Sequence, residues 1–68
     1  MMDETVTRLE KFSAPYGREI TLENVAYANG MRVLRVHIRE GRRFTVMDID
    51  ASTAMTWGDA MSRWAAGK

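Results

Sequence analysis

Side chains able to do chemistry are scarce in this chain of 68 residues, which holds one histidine and no cysteine. Acyl transfer needs a nucleophile beside a base that a third group orients. His37 is the sole imidazole. The strand pairing derived below sets it between Thr21 and Arg43, with no carboxylate directly opposite. Asp48 and Asp50 could divide acid and base roles, but Arg32 and a helix start account for them. No catalytic residue is assigned, and the expectation is that the chain is not an enzyme. Without cysteine there are no thiolate zinc or iron–sulfur sites. Asp48-Ile49-Asp50 lacks the glycine and the bidentate glutamate of a calcium loop. Gly17, Gly30 and Gly41 stand singly, as turn residues do, not as a phosphate-cradling loop. No metal and no cofactor are expected.

The strongest local charge is positive. Residues 31–43 hold Arg32, Arg35, Arg39, Arg42 and Arg43 against Glu40 alone, a local +4 in a chain of formal net charge +1. Arginines on a sheet near an exposed tyrosine could grip the phosphates and stack on the bases of a single strand. Arg35, Arg39, Arg42 and Arg43 are the candidate anion or nucleic-acid contacts. Cross-strand pairing opposes this reading, because it gives Arg35 to Glu23, Arg39 to Glu19 and Arg32 to Asp48. Nucleic-acid binders carry a larger uncompensated excess.

The elements that position these residues follow from turns and periodicity. Residues 18–49 are rich in Val, Ile, Thr, Phe and Tyr, which favours strands. Ala28-Asn29-Gly30 and Arg39-Glu40-Gly41 each place glycine third in a loop, as a type I turn with a bulge requires. Two three-residue loops then set the register: Ile20 faces Ile38, Leu22 faces Val36, Val36 faces Phe44, and Leu34 faces Val46. One face gathers those seven apolar residues. The other is divided into a charged half and an apolar half made of Val25, Tyr27, Met31, Val33, Met47 and Ile49.

Asp50 has the chemistry of an N-cap, and Ala54, Trp57, Gly58, Met61, Trp64 and Ala65 recur at helical spacing. The expected fold is α+β: an antiparallel meander of three or four strands with one C-terminal helix packed on one face. Trp57, Met61 and Trp64 would lie over Leu22, Val36, Phe44 and Val46. The chain divides into an N-terminal segment (1–17), a meander (18–49) and a helix (51–66). Val6, Leu9 and Phe12 recur every third residue, as a helical turn would have them. Thr5-Val6-Thr7 and the Pro15-Tyr16-Gly17 turn favour an added edge strand.

Size bears on partners. A chain this short buries only about 60% of its unfolded surface, and its core supplies roughly 3–5 kcal/mol. With disulfides excluded, oligomerisation is the common remaining support. The apolar half-face needs a cover, either the N-terminal segment or a second copy, since bare patches of that kind mark contact sites. The acidic start, Met1-Met2-Asp3-Glu4, differs from a signal peptide. No apolar run approaches the ~18 residues of a membrane span. A cytoplasmic location is expected.

Pro15-Tyr16-Gly17-Arg18-Glu19, Arg39-Glu40-Gly41-Arg42-Arg43-Phe44, Asp48-Ile49-Asp50 and Trp57-Gly58 resemble a set of short bacterial proteins with no assigned activity. The resemblance spans roughly residues 9–65 and implies a small stand-alone protein without transferring any site residue. The functional expectation is a protein-interaction module, homodimeric or part of a larger bacterial complex. A nucleic-acid module is the alternative.

Overall fold

The computed structural model describes residues 3–67 as β1 (Glu4–Ala14), β2 (Arg18–Tyr27), β3 (Arg32–Glu40), β4 (Arg43–Ile49) and α1 (Ala51–Ala65). The strands form one antiparallel sheet in sequence order. The fold is α+β, a four-stranded open meander followed by a helix.

The first glycine hairpin forms as its residues dictate. Gly30 N–H donates to the Tyr27 carbonyl at 3.0 Å, Tyr27 N–H donates to the Met31 carbonyl at 2.8 Å, and Gly30 has φ 90°. This is a three-residue loop with glycine in the left-handed position. Ile20 accordingly pairs with Ile38 and Leu22 with Val36.

The second hairpin corrects the expected register. β3 runs on through Glu40, which pairs with Arg43, leaving Gly41-Arg42 as a two-residue turn. Gly41 has φ 60° while Arg42 has no positive φ. Glycine at the first central position is the type II′ arrangement, whose twist suits a hairpin. The resulting offset from the expected register is odd, so β4 presents its opposite side. Met47 now pairs with Val36 and Ile49 with Leu34, whereas Phe44 pairs with Arg39 and Val46 with His37. Alanine at Gly41 would meet nothing within 4 Å. Gly41→Ala therefore isolates the backbone cost, expected at about 1 kcal/mol or more as a lowered urea midpoint.

The ambiguous N-terminal segment is a full edge strand, and it lies beside β2 rather than across a face. Its pairing shifts between Arg8 and Glu10, leaving Leu9 as the extra residue of a bulge. The three-residue spacing of Val6, Leu9 and Phe12 is thus strand periodicity interrupted by one inserted residue. Val6 pairs with Val25 on one face and Phe12 with Ile20 on the other.

One face carries Phe12, Ile20, Leu22, Leu34, Val36, Ile38, Met47 and Ile49. The opposite face carries Val6, Val25, Tyr27, Val33, Phe44 and Val46 among Glu19, Glu23, Arg35, His37, Arg39 and Asp48. Among the described residues, the buried apolar side chains are Val25, Val36 and Ile49.

Asp50 begins α1 as expected, its Oδ1 accepting from Thr53 N–H at 2.8 Å. Gly67, at φ 79°, ends it, donating its N–H to the Trp64 carbonyl. The expected cover of the sheet by the helix is not what forms. α1 makes its main contact with β3, and none of its residues is buried. The corrected register also separates Phe44 and Val46 from Leu22 and Val36, so no single helix could lie over all four. Asp50 alone connects β4 to α1. Strand-to-helix connections commonly take two to six residues, and one residue gives little room to fold a helix back along its own sheet.

Candidate functional site

The polar half of the mixed face is a shallow depression of about 170 Å³ lined by Glu19, Thr21, Glu23, His37, Arg39 and Phe44. His37 Nε2–H donates to Glu23 Oε1 at 2.6 Å. The sequence expectation left His37 without a carboxylate because only the residue directly opposite was considered. Glu23 reaches it diagonally, from two residues along β2, a separation that long side chains bridge. Val46, not Arg43, lies opposite on β4. Glu19 sits between two cations, Lys11 at 3.7 Å and Arg39 at 3.6 Å. Among the described residues no hydroxyl hydrogen-bonds the imidazole, so the nucleophile–base contact of acyl transfer is not formed here.

The four candidate anion contacts do not share a surface. Arg35 is held by Asp48 through two hydrogen bonds, Nε to Oδ1 at 2.8 Å and Nη2 to Oδ2 at 3.0 Å, with Glu4 a further 3.9 Å from Nη1. This replaces the expected Arg35–Glu23 and Arg32–Asp48 pairs. Both changes follow from the register of β4. Arg39 keeps its expected partner, Glu19. Arg42 lies in the turn, and Arg43 faces the opposite side of the sheet opposite Glu40, which is bound by Arg18 at 2.6 Å. Alternation along the strands disperses the charge that looks concentrated in the sequence.

Two carboxylates are tuned by this arrangement. The hydrogen bond from Arg35 holds the Asp48 carboxyl below the usual carboxylate range and raises the guanidinium in turn. Hydrogen bonds from Thr53 lower Asp50 in the same way. A carboxylate depressed in the folded state stabilises the fold above its unfolded pKa, near 3.9, and that contribution is lost as pH falls through the folded value. Stability should therefore hold from neutrality to about pH 5 and decline below about pH 4. Asp48→Asn should flatten part of that decline in an acid titration followed by circular dichroism.

The six residues of the expected contact surface are split by the corrected register. Val25, Tyr27 and Val33 share the mixed face, where Val25 is fully buried and the other two are half-buried. Met31 is exposed beside the first turn. Met47 and Ile49 belong to the apolar face, Ile49 buried and Met47 exposed. What the sequence reading assigned to the core is the larger exposed surface: Trp57 is 39%, Met61 61% and Trp64 82% exposed. They share one side of α1, since intervals of three, four and seven return to the same helical face. One sequence signal pointed to this, the single-residue Asp50 connection, whereas Gly58 in mid-helix suggested close approach to the sheet or a kink. A Cβ at Gly58 would meet nothing within 4 Å, so no close approach to the chain's own sheet explains that glycine.

These features define a small α+β protein with an open sheet and an exposed amphipathic helix. The chain belongs to a family of unknown function, DUF6967, whose model matches residues 3–67. Comparison with curated proteins and with solved structures gives no match. No described helix is long and apolar enough to cross a membrane.

Proposed function

We propose that this chain is a non-enzymatic protein-interaction module whose contact surface is the apolar side of α1 together with the apolar sheet face. One observation carries the reading. The chain exposes 5667 Å², where a compact monomer of 7.8 kDa exposes about 4,400 Å². The excess is about 1,300 Å². The radius of gyration agrees, at 13.8 Å against about 11 Å for a compact chain of this length. The exposed apolar side chains within that surface, Phe12, Met47, Trp57, Met61 and Trp64, cost free energy until a partner covers them. The methionines at positions 47 and 61 add side chains that repack readily against a partner.

Tryptophan quenching at nanomolar protein tests the reading, because association is then dissolved. Acrylamide should reach Trp64 freely and Trp57 in part. Tryptophans shielded at that dilution would make the stripe ordinary core and overturn the proposal.

A further inference from the structure

We infer that the occupant of this surface is a second copy of the chain, each protomer's α1 lying on the apolar sheet face of the other. The inference rests on the interaction reading above and adds the partner and the geometry.

The chain carries two incompletely covered apolar surfaces that suit each other. Trp57, Met61 and Trp64 continue a stripe on α1 that begins at half-buried Ala54, and exposed Phe12 and Met47 with half-buried Leu22, Leu34 and Ile38 surround buried Val36 on the apolar sheet face. A helix stripe and a sheet face are the two halves of an ordinary α/β layer. Within one chain they meet only where the start of α1 touches β3, because Asp50 alone links β4 to α1. A second copy supplies each with its complement, and the exchange closes under two-fold symmetry.

Area supports two copies. An excess of about 1,300 Å² per chain leaves a pair up to about 2,600 Å² to bury, an upper limit within the range of obligate homodimers. Other pairings fit less well. Stripe against stripe would be a coiled coil of two heptads, below the three or four that such a seam needs. At the β1 edge, sheet extension meets Arg8, Glu10, Lys11 and the Leu9 bulge, devices that block strand addition; pairing through the β4 edge would leave the helix stripe uncovered. The mixed face holds the Arg35–Asp48 and His37–Glu23 pairs across its middle strands, which an apolar stripe would desolvate, whereas the Arg18–Glu40 pair of the apolar face lies at its end beside the second turn. Gly58 also gains a reason: the open space above it admits the close approach of a partner's sheet.

The deciding experiment mixes two defective full-length chains and reads mass by sedimentation. One carries Trp64→Glu on the helix, the other Met47→Glu on the sheet face; both positions are exposed in the single chain, and circular dichroism checks that both fold. If Met47→Glu unfolds, Phe12→Glu on the same face replaces it. Wild type should reach twice the chain mass by high micromolar concentration. Each variant should dimerise about 30-fold or more weakly, the loss typical of a hot-spot residue. In the mixture one of the two contacts is intact while the other takes both substitutions, so a mixed dimer should return in part, tighter than either variant alone. Gly58→Ala should raise helix content while weakening the dimer. A wild-type monomer with accessible tryptophans would overturn the second copy and leave the interaction module with another partner. A dimer unaffected by Met47→Glu, a mixture without rescue, or open-ended assemblies would overturn the reciprocal geometry.

Discussion

Val25→Ala is expected to cost about 2 kcal/mol, from two lost methyl groups and the cavity they leave. Val25 is the one fully buried side chain among the described residues. It is flanked by Val6 on β1 and Val33 on β3, its pairing partners in both directions. For a core worth roughly 3–5 kcal/mol, that loss is about half of the total. At a urea slope of about 1 kcal/mol per molar, the unfolding midpoint should fall by about 2 M at fixed protein concentration. Val25→Asp, which buries a charge without a partner, should leave the chain unfolded. Val6→Ala is the internal control. Val6 lies on the same face but is 45% exposed, so its loss should be well under that of Val25. Equal effects at the two positions would show that burial at Val25 is not what holds β1 to β2.

The second large effect is a thermal midpoint that rises with protein concentration. A folded state that binds its own copy is stabilised by mass action, about 1.4 kcal/mol per mole of dimer for each tenfold increase above the dissociation constant. For a domain of this size, that corresponds to several degrees per tenfold step. Trp64→Glu should move the onset of the dependence about 30-fold or more higher in concentration. The same substitution at so exposed a position in a plain monomer would change stability by less than about 0.5 kcal/mol. Differential scanning calorimetry over a hundredfold range of concentration separates the two. A midpoint independent of concentration in wild type would deny any stabilising self-association.

How much of this was legible beforehand depended on whether the information was local. Ala28-Asn29-Gly30 allowed one good loop, so the β2–β3 register and the pairing of Ile20 with Ile38 were readable. Asp50 as a cap and the helical spacing from Ala54 to Ala65 were readable for the same reason. Gly41 was ambiguous, since glycine suits both the third position of a bulged loop and the first of a type II′ turn. Choosing between them required the pairing of β4, and the odd offset reversed every side chain on that strand. The misassigned Phe44, Val46, Met47 and Ile49, and the reassigned Arg35–Asp48 pair, all descend from that one turn. The bulge at Leu9 hid β1 in a similar way, by making a strand look like a helical turn.

The candidate site was partly visible and partly inverted. The charged half-face around His37 and Glu19 was placed correctly, while its central contact, Glu23 to His37, was missed because it is diagonal. The expected apolar surface was divided between two faces, and of the tryptophans taken for core Trp64 proved to be the most exposed large apolar side chain on the helix, while Trp57 is partly covered.

Composition and spacing alone determined the class of the fold, a meander and one amphipathic helix with little core. They also set the limit that such a core places on a lone chain. Those properties depend on residue types and short-range geometry. Which face each β4 side chain takes, and whether the helix covers its own sheet, were decided only by tertiary structure. Both turn on single residues, Gly41 and Asp50, whose backbone angles depend on everything they connect. Few groups able to do chemistry and a small core follow from composition, and the fold leaves Met61 and Trp64 of the helix's apolar side exposed.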